Sequence, residues 1–242
     1  GDRQRPGGGD AVIRALPLLA VAALGCSNLT DTANGVVALD VTVPGRLELE
    51  VGDTIQLHAR ALDRAGDSVD AVITWHTPDS TLAVDSLTGR ATGLIGGLPG
   101  RVQAAQGTLV SDFLQFAVLG HADSLALPAD SADTVATGVT QSAPLAAQLV
   151  GVAGVDLTGH RLVFTVTTPP YASPAARTVE LSNGALVDTV LTAADGTPVS
   201  PVTLNRVAGI ASPPMATVTV TAARPSGAAV PGSGQTFSVT FQ

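Results

Sequence analysis

The chain has 242 residues, of which 45% are apolar, 13% charged and 3% aromatic. Its net charge is −8, and its twelve basic residues are scattered arginines, a distribution that argues against a nucleic-acid partner. Because Cys26 is the only cysteine in the sequence, an internal disulfide and a cysteine-rich metal site are excluded.

The first 26 residues have the pattern of an export signal. Three arginines flank or precede an apolar run at residues 15–24. Ten residues are too few to cross a bilayer as a helix, which takes roughly 20, but they match the apolar region of a secretory signal. We therefore predict a signal peptide at residues 1–26.

The end of this segment resembles the lipobox of bacterial lipoproteins. Small residues, Ala22, Ala23 and Gly25, lead up to Cys26. In that family the cysteine is acylated after cleavage, so the resemblance implies lipidation of Cys26 and a membrane partner held through that lipid anchor. Ala23 and Leu24 stand where the family usually has a Leu followed by a small residue. Ordinary cleavage near residues 20–22 and a plain buried thiol are the alternatives.

Residues 27–35, "SNLTDTANG", are small and polar without periodicity, which indicates a flexible tether. Residues 36–119 then alternate with period two. Leu47, Leu49 and Val51 are predicted to point into a core, and Glu48 and Glu50 to point outward into solvent.

The later strands of this unit follow at intervals of roughly 8–12 residues with turn signals between them, which is typical of an antiparallel sandwich. His58 and His76 are predicted on outward faces. The predicted core residues are Ile55, Leu57, Ile73 and Trp75.

Five motifs give residues 36–119 a resemblance to the bacterial immunoglobulin-like domain, group 2. They are "VGDT" at 51–54, "DRAG" at 63–66, "WHTPD" at 75–79, "AVD" at 83–85 and "GRATG" at 89–93. The resemblance implies an immunoglobulin-like sandwich in an exported protein. Members of that family are found in adhesins and as spacer modules.

Residues 120–242 show the same alternation, so a second sandwich is predicted there. Asn183-Gly184 is the favoured two-residue hairpin turn between two alternating runs. Phe237, Val239 and Phe241 share one face of the last strand. A more distant resemblance is to the invasin-type, group 1 immunoglobulin-like domains, carried by "GVDLTGHRLVF" at 154–164 and "TAADG" at 192–196.

No pattern typical of a catalytic, phosphate-binding or zinc site is present, so we predict no enzyme activity, no metal site and no cofactor. Asp63, Asp67 and Asp70 crowd one turn; calcium binding is one interpretation, and the usual turn-forming role of aspartate is the other. Tyr171, in a proline-rich loop, is the candidate exposed binding aromatic.

Taken together, these features predict an all-β fold of two tandem immunoglobulin-like sandwiches after an N-terminal signal segment. The predicted role is non-enzymatic adhesion, binding or spacing at a bacterial surface, with a protein or a glycan as the unidentified ligand. The alternative is an accessory carbohydrate-binding module of a polysaccharide-acting system. The expected location is the outer membrane or cell surface as a lipoprotein, and otherwise the periplasm or the extracellular space.

Overall fold

The computed structural model describes residues 35–242 except residues 172, 210 and 212–214. The predicted signal peptide and Cys26 lie outside the described residues, as does nearly all of the predicted tether. Among the described residues, the only helical element is a three-residue 3-10 turn, Pro174–Ala176. None of the described helices has the length and apolar character that a membrane crossing requires.

Eleven strands lie between residues 35 and 119. They are β1 (Ala38–Thr42), β2 (Glu48–Glu50), β3 (Thr54–Gln56), β4 (His58–Leu62), β5 (Ser68–Val69), β6 (Thr74–His76), β7 (Leu82–Val84), β8 (Arg90–Gly93), β9 (Leu98–Gln106), β10 (Leu109–Val110) and β11 (Leu114–Leu119).

Nine strands follow. They are β12 (Ser124–Ala126), β13 (Ala132–Val135), β14 (Gln148–Val150), β15 (Arg161–Thr168), β16 (Val179–Leu181), β17 (Val187–Leu191), β18 (Leu204–Arg206), β19 (Met215–Ala222) and β20 (Gln235–Phe241).

The first core lies among three sheets. One has the order β10-β9-β11-β2, with β6 also paired to β9; the others are β1-β4-β5 and β3-β8-β7. β3 and β4 are successive pieces of one extended segment, interrupted only at Leu57. Alternate side chains from these sheets, including Trp75, Leu82 and Phe116, meet in one buried cluster, as expected for a sandwich in which every strand has one apolar face.

The second core is larger. Its main sheet has the order β13-β20-β19-β15-β17, and two short pairs, β12-β14 and β16-β18, supply the remaining strands. The buried cluster runs from Ala122 to Phe241 and includes Phe164 and Phe237. Its members are separate from those of the first core, so residues 35–242, as far as the structure describes them, contain two hydrophobic cores.

Both parts have the strand pairing of an immunoglobulin-like sandwich. The last strand of each part pairs antiparallel with a long preceding strand and parallel with a short early strand: β11 with β9 and β2, and β20 with β19 and β13. Antiparallel sheets facing across one core define this architecture. The predicted all-β, immunoglobulin-like fold class is confirmed.

The predicted core residues of the first sandwich lie inside it to different depths. Leu57 and Trp75 are 2% and 4% exposed. Ile55 and Ile73 are half-buried and pack against the same cluster. Leu47, which was also predicted to point into the core, is 41% exposed, so that prediction is wrong.

The predicted hairpin at Asn183-Gly184 is wrong, although the turn itself is present. Gly184 has a φ of 76°, and the amide of Ala185 donates to the Asn183 side chain. However, β16 pairs with β18 whereas β17 pairs with β15, so the two strands belong to different sheets. The turn residues determine only the local reversal of the chain. Which strands pair on either side of the turn depends on distant strands, here β15 and β18.

Candidate functional site

The principal polar cluster lies where β2 of the first sandwich meets the second sandwich. β2 was predicted to turn Glu48 and Glu50 toward solvent. That prediction is wrong for Glu50, which is fully buried, and Glu48 is half-buried. The outer face of β2 is covered by residues of the second sandwich.

The Glu50 carboxylate holds three groups that come after residue 120. Its Oε1 accepts a hydrogen bond from the backbone N–H of Ala122 and lies 3.6 Å from His121 Nδ1. Its Oε2 lies 3.5 Å from Arg224 Nε. Arg224 also donates from Nη2 to the Ala122 carbonyl at 3.1 Å. A buried carboxylate is costly unless it is paired and hydrogen-bonded, so these contacts are what allow Glu50 to stay inside.

His121 extends the cluster to the surface. Its Nε2 lies 3.3 Å from Arg224 Nη2 and 3.6 Å from an Asp123 oxygen. The ring therefore contacts Glu50 through Nδ1 and both Arg224 and Asp123 through Nε2.

A second set of contacts lies beside the first. Glu48 Oε1 is 2.6 Å from Arg161 Nη2, and Glu48 Oε2 is 3.8 Å from Arg46 Nη1. The buried ring of His160 bonds through Nε2 to the Gly120 carbonyl at 2.8 Å. Both carboxylates of β2 are therefore bound by cations, and three of the four cationic or imidazole partners belong to the second sandwich.

The backbone around the junction is packed so closely that side chains would not fit at two glycines. A Cβ atom on Gly120 would meet the carbonyl oxygen of Asp156, and one on Gly96 would lie 2.6 Å from the Gly120 amide nitrogen. Real Cβ atoms do not occupy such positions. Glycine is therefore required at these points for close backbone approach.

Two grooves flank these contacts. One, of about 540 Å³, is lined by Leu47, Leu98 and Pro99 of the first sandwich and by Asp156 of the second. Hydrogen bonds from the Thr158 side chain and backbone lower the pKa of Asp156. The other groove, of about 420 Å³, is lined by three arginines and is called the junction groove below.

Tyr171 is placed differently from the exposed position predicted for it. The ring is half-buried and packs against the second core. Its hydroxyl bonds the Thr178 hydroxyl at 2.7 Å and accepts from the Val179 amide at 3.3 Å. These bonds tie the ring to the strand that follows, so the ring is not a free platform.

The other residues considered from sequence have ordinary structural surroundings. His58 and His76 are exposed, as predicted. Asp63 Oδ1 accepts hydrogen bonds from the amides of Ala65 and Asp67. These bonds are the ones expected if the aspartate serves to form the turn. Within the described part of the chain, no group of three or more metal-binding side chains comes together.

An exposed ion pair lies on the outer face of β9. Arg101 donates to both carboxylate oxygens of Asp79 at 2.9 and 3.0 Å, and its guanidinium lies 5.3 Å from the centre of the Phe113 ring. The side-chain hydrogen bonds from Arg101 hold the pKa of Asp79 below its usual value. The same pairing raises the pKa of Arg101.

The polar cluster at β2 was missed by sequence reasoning. Glu48 and Glu50 alternate with apolar residues, which is also the pattern of a strand with one solvated face. A weak signal was present: two of the three glutamates in the chain lie on this one short strand. Their partners, His121 and Arg224, are more than 70 residues away.

No family model matches the chain, and no curated protein matches it. Among solved structures, the adhesin InvE of Yersinia pseudotuberculosis is similar over 86% of this chain, with 15% identity and a TM-score of 0.40; the chain spans 60% of that structure's length. Domains 4 and 5 of the S-layer protein SbsC match at 18% identity and a TM-score of 0.32, covering 85% of this chain and 98% of that one. The D00-D0 domain of intimin matches at 16% identity and a TM-score of 0.32, covering 85% of this chain and 100% of that one. None of these TM-scores reaches 0.5, so the likenesses carry no inference about function.

Proposed function

We propose that this chain is a non-enzymatic protein of the bacterial cell envelope that presents a binding surface at a distance from a membrane. Residues 36–119 and 120–242 would be its two immunoglobulin-like domains. Residues 1–26 would be the export signal, Cys26 the lipid-bearing residue and residues 27–35 the tether.

The observation that carries the proposal is the buried Glu50 between the two sandwiches. Its Oε1 accepts a hydrogen bond from Ala122 and lies near His121, and its Oε2 lies in an ion pair with Arg224 but has no hydrogen-bond partner among the described residues. A flexible linker would leave such a charge in water at no cost, whereas a buried charge is tolerated only in a fixed geometry. The polar chemistry at this site therefore holds two domains together, which favours spacing and presentation.

The glycine contacts support the same role. Gly96 and Gly120 bring the backbones of the two sandwiches together without intervening side chains. Short connections with close backbone packing limit relative motion of neighbouring domains. A pair with little relative motion is suited to holding a ligand-binding face in a defined position.

The location is tested by following the lipid. The full chain, produced in a bacterium with labelled palmitate, is expected to incorporate label and to fractionate with membranes. Cys26→Ser is expected to lose both properties, because it removes the one thiol in the sequence and with it the proposed lipid site. A Ser111→Ala variant, which leaves Cys26 intact, serves as the control. Label retained on Cys26→Ser would contradict the proposal.

The alternative function, an accessory carbohydrate-binding module, is not favoured by Tyr171, whose hydroxyl and ring are already engaged. The arginine-lined junction groove, in contrast, favours glycan binding.

A further inference from the structure

The junction groove concentrates positive charge in an acidic protein. Three of the twelve arginines, Arg46, Arg161 and Arg224, line one cavity of about 420 Å³ in a chain of net charge −8. Two carboxylates oppose them: Glu48 in the groove wall and Glu50 behind Arg224. Three guanidinium groups against two carboxylates leave an excess of one positive charge.

The guanidinium groups keep donors available. Arg161 gives its Nη2 to Glu48, but its Nε is buried and has no hydrogen-bond partner among the described residues. The Arg46 side chain is 64% exposed, and its contact with Glu48 is only a 3.8 Å ion pair. Arginine is the residue best suited to a planar oxyanion, because its parallel N–H groups match two carboxylate oxygens. One oxyanion would match both the excess charge and the exposed N–H groups of Arg46.

The remainder of the groove is not shaped for a bare inorganic ion. Val163 lies directly across from Thr189 on β17 and Thr221 on β19, so these three side chains share the outer face of the second sheet. All three line the groove, together with Pro225 and Ala223. An apolar side chain between two hydroxyls matches a sugar ring, which has an apolar face and hydroxyls at its edge.

We propose that the junction groove binds a carboxylate-bearing saccharide, of the uronic-acid class. Its carboxylate would lie against Arg46 and Arg161, and its ring over Val163 between Thr189 and Thr221. The cavity falls within the usual size range of small-molecule sites, about 300–1,000 Å³. This inference rests on the binding part of the proposed function and names the ligand class for it.

The position of the groove adds a consequence. Arg46 comes from the first sandwich, whereas Arg161, Thr189 and Thr221 come from the second. A ligand that contacts both would stabilise the pair of sandwiches in one arrangement. Saccharide binding should therefore depend on the same junction that Glu50 maintains.

The test uses isothermal titration of the full chain with an oligomer of galacturonic acid and, in parallel, with the matched neutral galactose oligomer. We expect the acidic oligomer to bind and the neutral one to bind at least about tenfold more weakly, as for loss of one charge-assisted hydrogen bond. Arg46→Gln should weaken the acidic oligomer by a similar factor. The matched control is Arg90→Gln, because Arg90 is an exposed strand arginine outside the groove; it should bind normally.

A second variant separates the sugar ring from its charge. Thr189→Val keeps the size of an exposed side chain and removes one hydroxyl. It should weaken the acidic oligomer while leaving the weak binding of inorganic sulfate unchanged. Thermal unfolding of each variant checks that the fold is retained, which Arg46→Gln and Thr189→Val should not disturb because both positions are on the surface.

Three results would overturn the inference: equal binding of the neutral oligomer, unchanged binding by Arg46→Gln, or inorganic sulfate or phosphate binding as tightly as the uronate. If the uronate does not bind while palmitate still labels Cys26, the inference fails and the envelope proposal stands. If palmitate labelling fails while the uronate binds, the envelope proposal fails and the saccharide-binding inference stands.

Discussion

Glu50 Oε2 lies 3.5 Å from Arg224 Nε, with the carboxylate completely buried and the two residues in different sandwiches. Removing one member of such a pair leaves the other charge buried without its partner. The penalty then exceeds the net stabilisation that the pair itself provides.

We expect Glu50→Ala to lower the free energy of unfolding by about 3–5 kcal/mol. The backbone N–H of Ala122 would lose its acceptor, and the guanidinium of Arg224 would lose its ion-pair partner. Urea denaturation of the full chain measures the change. Asp40→Asn, which breaks an exposed pair with Arg60, is the control and should cost less than about 1 kcal/mol. A cost for Glu50→Ala as small as the control's would show that Glu50 is not fixed as described.

Gly120→Ala should also destabilise the junction, by about 1–3 kcal/mol, because the added methyl group meets the Asp156 carbonyl. Amide NMR shifts should change at His121 and at Asp156. Gly138→Ala is the comparison, since no atom lies within 4 Å of a Cβ there and only the positive φ of 84° is strained. Identical shift changes at His121 in both variants would argue against a steric contact.

Trp75 provides a direct probe of the first core, because it is the only tryptophan and is 4% exposed. Its fluorescence should be blue-shifted and poorly quenched by acrylamide. Trp75→Ala should cost about 3–5 kcal/mol, as for other large core truncations. Val72→Ala, at a side chain that is 78% exposed, should change stability by less than about 0.5 kcal/mol. Strong quenching of the native protein would contradict the core position.

Acid should weaken the contribution of the Asp79–Arg101 pair. The pKa of Asp79 is lowered from its ordinary 3.8, first by the side-chain hydrogen bond from Arg101. The folded state then binds fewer protons than the unfolded state near that pH, so stability rises with pH there. The stabilisation is complete above the unfolded pKa and is lost as the pH falls through the lower, folded one.

The measurement compares wild type with Asp79→Asn in urea at several pH values. The difference between them should be constant at neutral pH and should shrink as the pH falls below the ordinary 3.8 and through the lowered pKa of the folded carboxyl. Asp40→Asn is again the control. If the stability difference between wild type and Asp79→Asn grew as the pH fell, the Asp79–Arg101 ion pair would not be its source.

The sequence by itself determined the all-β class of the fold and many of the residues that face the interior of each sandwich. Period-two alternation placed Leu57, Trp75, Phe237, Val239 and Phe241 on inward faces, and all five are buried. Alternation is read along a single strand, and a strand has only two faces, so the pattern needs no knowledge of distant partners.

Tertiary structure alone decided what lies against the outer faces. Glu50 alternates like a solvated residue but is buried, because Ala122 and Arg224 cover it from far along the chain. Tyr171 is held by Thr178, and β16 and β17 separate into different sheets although the turn between them favours a hairpin. Local patterns state which side of a strand is polar. Whether that side faces water or a second set of charges depends on the packing of segments that no local pattern relates.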